Sequence, residues 1–270
     1  MSQNANFFEN KTISFLGMGN MAQAIVSGFV SSGRIRKEQL YAYAPTREKL
    51  EKNAGVFGFS PCLTASEAVR AADYIIIACK PAQIEGLLQP LRGELKGKAV
   101  LSIALGWNLE RYRALLGGDV RVQFVMPNTP AMVKEGIFLF EKDSTFAPDE
   151  RAAFLELFGH LGLVEELPSS LMGIGGALTG CGPAFVDMMI EAYADAAVSQ
   201  GIPRALAIRL TSQMVLGSAK LQLETGKHPA VLKDEVCSPG GSTIRGVMAL
   251  EEYRYRAACE AAILSAASKK

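Results

Sequence analysis

Two glycine-rich stretches in this 270-residue sequence have residue types and spacing suited to holding an anion. In "SFLGMGNMAQAI", Gly17, Gly19 and Ala22 form Gly-x-Gly-x-x-Ala after a strand-like run and at the start of a helix-like one. Gly17 permits the tight turn, Gly19 lets backbone approach a pyrophosphate, and Ala22 allows close helix packing. The helix start adds N–H donors and a positive dipole end. A purely structural glycine turn is the alternative. Near the other end, "DEVCSPGGSTIRGVMALEE" carries Ser238, Pro239, Gly240, Gly241, Ser242 and Thr243 ahead of a helical tail running to Lys270. A plain helix start explains its backbone, but not the hydroxyls of Ser238, Ser242 and Thr243 around bare N–H groups.

Other chemistry is sparse. The two histidines, His160 and His228, lie far apart without carboxylates or cysteines at ligand spacing, so no metal site is expected. The five cysteines (Cys62, Cys79, Cys181, Cys237, Cys259) include no Cys-x-x-Cys pair and read as reduced thiols rather than a disulfide framework. No Ser/His/Asp or Cys/His constellation stands out, and the carboxylates spread over polar helix faces.

The chain is 49% hydrophobic and 20% charged with a formal net charge of +1, an ordinary globular composition. Such a balance gives no field for nucleic acid or an acidic membrane. "MSQNANFFENK" lacks a signal peptide's basic start and apolar core, and no run of about 18 apolar residues stands out as a span, so a cytoplasmic protein with no membrane partner is expected.

The elements that must position the two glycine stretches follow from periodicity. Strand-like runs fall at 12–17, 40–44, 73–80, 98–105, 120–127 and 136–142, separated by amphipathic or glycine-ended segments. Near-continuous apolar strands between helices imply a parallel sheet covered on both faces. After about residue 147 come one helix, a short strand "LVEEL" and then almost only helix, so the boundary is set at 1–166 and 167–270. The helix in "PRALAIRLTSQMVLGSAKLQLETG" is apolar around most of its circumference through Ala205, Ile208, Leu210, Met214, Val215 and Leu221. That suits an oligomer interface, or else the central helix of a monomer's core.

Where the second strand ends, "YAYAPTREK" places Ala44 at the position of the acid that accepts from an NAD ribose, followed by Thr46 and Arg47. A missing acid removes repulsion of a 2′-phosphate and Arg47 can pair with it, which points to NADP; a solvated helix-start arginine is the other reading. Two further loops follow strand ends: "ACKPAQ" with Lys80 and Pro81, and "VMPNTPAM" with Asn128 and Thr129. Either suits a nicotinamide edge or substrate rim, or holds its prolines for structural reasons. "GCGPAFVDMMIEA" has no Lys and Asn at one-turn spacing, which counts against a β-hydroxyacid dehydrogenase.

With "FLGMGNMAQAI", "CKPAQ", "VMPNTPA", "ALTGCGPAF" and "HPAVLKDEVCSPGGSTIRGV" in order through nearly the whole chain, the sequence resembles the pyrroline-5-carboxylate reductase family. The last two are similar to its Gly-Ser-Gly-Pro-Ala and Ser-Pro-Gly-Gly-Thr-Thr signatures. The resemblance implies an α/β fold: an N-terminal Rossmann-like doubly wound sheet, here 1–166, followed by an all-helical dimerisation and substrate domain, 167–270. It further implies a homodimer, often in a ring such as a decamer, and NAD(P)H as hydride donor to the cyclic imine 1-pyrroline-5-carboxylate, giving L-proline.

Residue by residue, Leu16, Gly17, Met18, Gly19, Asn20 and Met21 match the pyrophosphate loop. Ala78, Cys79, Lys80 and Pro81 match the nicotinamide-side loop, Ser102, Ile103 and Ala104 another cofactor-lining strand end, and Thr243 the threonine beside the imine nitrogen. Cys181 stands in the usual serine position, and Ala65 and Glu235 where some members place asparagine. With Thr46, Arg47 and Asn128 these complete the expected cofactor residues, NADPH being preferred over NADH. The substrate carboxylate is expected on N–H groups at Gly240, Gly241, Ser242 and Thr243, helped by Ser238. A cyclic imine is basic enough to arrive partly protonated, which accounts for so few acids and bases.

Overall fold

The computed structural model describes residues 6 to 268. Eight strands form one sheet: β1 (Ile13–Leu16), β2 (Leu40–Tyr43), β3 (Ser60–Pro61), β4 (Tyr74–Ile77), β5 (Ala99–Ser102), β6 (Arg121–Pro127), β7 (Gly136–Glu141) and β8 (Gly162–Leu167), in the order β3-β2-β1-β4-β5-β6-β7-β8. Strands β1, β4 and β5 are buried along their whole length, as continuous apolar runs require.

Alternate side chains of those strands enter two separate cores. Ile13, Phe15, Ile76 and Leu101 join α1 (Asn20–Ser31), α2 (Arg47–Phe57) and α6 (Pro148–Gly159) through Ile25, Phe29, Leu50, Phe154 and Phe158. Leu16, Ile75, Ile77 and Val100 join α3 (Ala65–Arg70), α4 (Ile84–Leu88) and α5 (Leu109–Leu116) through Val69, Leu88 and Tyr112. A period of two along each strand is therefore the physical origin of the doubly wound layers.

The expected all-parallel sheet holds from β3 to β6 and fails at β7, which pairs antiparallel to β6. Residues 128 to 135 between them form only a tight turn, closed by Lys134 at φ 63°, and a parallel return needs a dozen or more residues. Strand β8 then lies parallel to β7 after the α6 crossover. The two-residue β3 carried no legible signal.

The described chain forms two compact units dividing between Gly180 and Cys181. In the first, α7 (Met172–Gly176) lies close on the sheet: a Cβ on Gly175 would come 2.6 Å from Leu167, and one on Gly176 2.9 Å from Met126. Helix begins here about three turns before "PAFVDMM" and passes through a π-helical turn, Ala177–Cys181. Pro183 has no N–H to give the Thr179 carbonyl, and its ring crowds that oxygen, so the turn widens.

The second unit holds α8 (Gly182–Ser199), α9 (Arg204–Thr225), α10 (Pro229–Glu235), α11 (Ser242–Glu252) and α12 (Tyr255–Ala267). The expected tail is thus two helices, broken where Arg254 takes φ 54°. On α9 only Ala207 and Thr211 are buried, while Leu210, Met214 and Leu221 are about half exposed. That removes the reading of α9 as a monomer's central core helix. One helical run, Ser169–Ser199, is also long and apolar enough by length and composition to cross a membrane, contrary to expectation, although Asp187, Glu191 and Asp195 lie along it.

Candidate functional site

The strand order reverses at β1, which has β2 on one side and β4 on the other, and ligands of open α/β sheets bind in the crevice beyond such a switch. The loop there is drawn tight. Gly17 N–H donates to the Tyr43 carbonyl at 2.8 Å, and Ala78 N–H donates to the Leu16 carbonyl at 2.9 Å. Gly17 sits at φ 107°, and a Cβ on it would lie 2.6 Å from the backbone of Ala78 and Cys79. So the Leu16–Met21 and Ala78–Pro81 segments meet through a glycine that nothing larger can replace.

Gly19, at the N-cap of α1, has no atom within 4 Å of where its Cβ would stand. Among the described residues no neighbour demands glycine at this point; a ligand pressed against the backbone would. The first-turn N–H groups of Asn20 and Met21 have no intrahelical acceptor. Gln23 Nε2 donates to the Met18 carbonyl at 3.1 Å and braces the loop from behind. These features fit a pyrophosphate.

After β2, Thr46 is the N-cap of α2 and Arg47 its first residue. The Arg47 guanidinium bonds Glu51 through Nε at 2.6 Å and the Cys62 carbonyl through Nη1 at 3.2 Å. It is thereby oriented yet still exposed, with Ala44 rather than an acid at the strand end. Between β4 and β5, Ile103 N–H donates to the Ile77 carbonyl at 3.1 Å, bringing Ser102–Ala104 beside Ala78–Pro81. Ser102 is fully buried, and its Oγ accepts from Tyr112 Oη at 2.7 Å and Ala104 N–H at 3.2 Å. Burial pushes both the Cys79 thiol and the Tyr112 phenol above their ordinary pKa, so both stay neutral in water near pH 7.

Asn128 is engaged within the chain at both ends of its amide. Its Oδ1 accepts from Ile137 N–H at 2.8 Å, and its Nδ2 donates at 3.1 Å to the Thr179 carbonyl that Pro183 leaves without a helical partner. A structural clasp between the "VMPNTPA" and "ALTGCGPA" segments accounts for it.

In the second unit, Ser238 to Gly241 form a turn closed by Gly241 N–H to the Ser238 carbonyl at 3.0 Å, with Gly240 at φ 68°. Proline followed by a positive-φ glycine is the type II arrangement. A Cβ on Gly241 would come 2.4 Å from Ser238 Oγ, so the hydroxyl and the backbone are pressed together. Gly241 N–H is spent on the turn; Ser242 and Thr243 open α11 and keep N–H groups that the helix cannot pair. Arg245 Nη1 donates to the Gly240 carbonyl at 2.7 Å, folding a cation over the same loop.

Comparison with known proteins decides the family. Residues 169–270 match the family described as pyrroline-5-carboxylate reductase dimerisation, and residues 12–106 match one described as NADP oxidoreductase coenzyme F420-dependent. The chain is 39% identical to the pyrroline-5-carboxylate reductase of Treponema pallidum, over 95% of this chain and 98% of that one. It is 40% identical to that of Escherichia coli, over 92% and 93%. The chain belongs to the pyrroline-5-carboxylate reductase family. Its fold superimposes on the crystal structure of Plasmodium falciparum pyrroline carboxylate reductase with NADP bound at a TM-score of 0.87 and 30% identity, covering 96% of each chain.

As a member of this oxidoreductase family, the chain has an N-terminal Rossmann-like domain and a helical segment of the dimerisation type, which gives the exposed apolar surface of α9 its meaning as an oligomer contact. Sequence reasoning missed Arg245, Gln23, Trp107 and Tyr112. Arg245, one turn into the helix after the glycine loop, had a signal in its spacing; Trp107 and Tyr112 belong to none of the motifs.

Proposed function

We infer that the protein is a pyrroline-5-carboxylate reductase: it transfers hydride from NADPH to the C=N carbon of 1-pyrroline-5-carboxylate and releases L-proline. The observation that carries this is the presence in one chain of an NAD(P)-type loop at Gly17–Met21 and of the Ser238–Thr243 cradle, with no Ser/His/Asp or Cys/His constellation in the sequence. Reduction of an already protonated imine needs orientation more than proton transfer.

The reduced nicotinamide supplies the hydride. The chain's own residues supply everything else. The loop of Leu16, Gly17, Met18, Gly19, Asn20 and Met21 holds the pyrophosphate, with the open N–H groups of Asn20 and Met21 aimed at it, while Thr46 and Arg47 read the 2′-phosphate. Ala78 through Pro81 and Ser102 through Ala104 form the wall for the nicotinamide half. Ser242 and Thr243 N–H groups, with Ser238 Oγ and the Arg245 charge nearby, hold the substrate carboxylate at the start of α11. The Thr243 hydroxyl bonds the ring nitrogen and turns the imine face to the donor.

The working division is 1–166 for the dinucleotide and 167–270 for dimerisation and substrate. It precedes the division between compact units because α7, which lies on the sheet, falls within the residues matching the dimerisation family. A homodimer buries the apolar faces of α8 and α9, rings of dimers such as a decamer are the expected higher assembly, and the protein works in the cytoplasm.

Steady-state oxidation of NADPH should require pyrroline-5-carboxylate and should not occur with pyrroline-2-carboxylate. In the same assay Arg47→Ala should raise KM for NADPH about tenfold or more, the worth of about 1.4 kcal/mol of phosphate pairing, and leave KM for NADH nearly unchanged. Equal loss with both dinucleotides would remove Arg47 from 2′-phosphate recognition. Turnover of pyrroline-2-carboxylate in preference would reassign the substrate.

A further inference from the structure

The single tryptophan of the chain, Trp107, lies in the loop between β5 and α5 and is 2% exposed. Its indole Nε1 donates to the Pro81 carbonyl at 3.1 Å, across to the loop that follows β4. The Arg111 guanidinium stacks 4.1 Å from its ring centroid and also bonds the Gly106 carbonyl. On another side the ring meets Tyr112 at a centroid distance of 5.1 Å. Tyr112 in turn donates to Ser102 Oγ, which accepts Ala104 N–H as well. A continuous chain of contacts, hydrogen-bonded at its two ends and aromatic in its middle, therefore runs from Pro81 through Trp107 and Tyr112 to Ser102 and Ala104.

Its two ends are the two loops that form the nicotinamide wall. Backbone bonding ties them only as far as the Ile103 N–H on the Ile77 carbonyl; beyond it the strands have ended, and the spacing of the loops depends on side chains. Lys80 and Pro81 are exposed and held locally by Gln83, whose Oε1 accepts from Lys80 N–H at 3.2 Å. Among the described residues, the indole N–H makes the one hydrogen bond from that turn to the neighbouring loop.

We propose that Trp107 is a positioning residue for the dinucleotide: through the Pro81 carbonyl and Tyr112 it clamps the loop of residues 78–83 to that of 102–107 and sets the width of the nicotinamide wall. The proposal rests on the dinucleotide reading above. Loosening the clamp lets the wall relax, so affinity for the dinucleotide falls and hydride donor geometry degrades, while the substrate cradle in the other unit keeps its own hydrogen bonds. Trp107, itself buried, acts through these two loops.

Trp107→Phe keeps an aromatic ring and deletes the N–H. In the full-length protein it should raise the NADPH Kd by calorimetry, and KM in turnover, by about three- to tenfold, with KM for pyrroline-5-carboxylate unchanged. Tyr112→Phe, which deletes only the hydroxyl, should move the same parameters in the same direction, and keeps Trp107 for following NADPH by quenching of its emission. A merely structural role would lower the melting temperature of both variants without a selective shift in NADPH, and that result overturns the proposal. Should Trp107→Phe not fold, an unshifted NADPH Kd in Tyr112→Phe overturns it equally. Wild-type protein that neither binds nor consumes NADPH would remove the dinucleotide reading itself, and the clamp with it.

Discussion

Gly17→Ala should abolish NADPH turnover in a protein that still folds. The new methyl would stand 2.6 Å from the Ala78 carbonyl group and the Cys79 nitrogen, backbone atoms that no rotamer change can move. Relieving the overlap means pushing the first loop off the end of β4, which breaks the Leu16–Ala78 register on which the pyrophosphate N–H groups depend. A positive φ adds about 1 to 2 kcal/mol of strain for any residue with a Cβ. The expected loss in NADPH affinity is about a hundredfold or more, equivalent to about 2.7 kcal/mol. Gly33→Ala is the control: Gly33 also has a positive φ, 72°, but no atom lies within 4 Å of its added Cβ. It should cost about 1 kcal/mol of stability and leave NADPH affinity unchanged. Similar NADPH affinities for the two variants would place the dinucleotide elsewhere.

Thr243→Ala should lower kcat/KM for pyrroline-5-carboxylate by about ten- to a thousandfold, the span of a hydrogen bond worth about 1.4 to 4 kcal/mol in the transition state. Thr243 is exposed in the first turn of α11, where alanine is a better helix former, so no loss of fold accompanies the change. Thr243→Ser keeps the hydroxyl and should retain most of the activity, whereas Thr243→Val keeps the shape and should not. Kinetics of Thr243→Ala equal to the parent would take the hydroxyl out of the mechanism. A KM rise alone, with kcat intact, would confine it to binding.

Much of this architecture was legible in the chain, for reasons that differ from element to element. Strands β1, β4 and β5 were visible because burial on both faces demands unbroken apolar runs, and the Gly17 turn because only glycine tolerates both its φ and its neighbours. The direction of β7 was hidden: an apolar strand reads the same in either sense, and the shortness of residues 128–135 was the one clue. The π-helical turn was hidden because Pro183 reads as a helix start, and the break at Arg254 because neither glycine nor proline marks it. Asn128 read as a ligand group since a polar residue between prolines at a strand end fits one. In the structure its amide satisfies the carbonyl that Pro183 strands, a pairing of residues far apart in sequence. In the Ser238–Thr243 stretch, spacing marked the glycine loop but not which N–H groups remain open; the bond from Gly241 to Ser238 decides that.

The central claim is hydride transfer to the imine carbon from a dinucleotide held at Gly17–Met21. NADPH deuterated at the transferring position of nicotinamide C4, supplied with pyrroline-5-carboxylate, tests it by mass spectrometry of the product. L-Proline carrying a single deuterium at C5, formed from one C4 epimer of the cofactor and not the other, is the predicted result. Unlabelled proline from both epimers, or no proline at all, would contradict it.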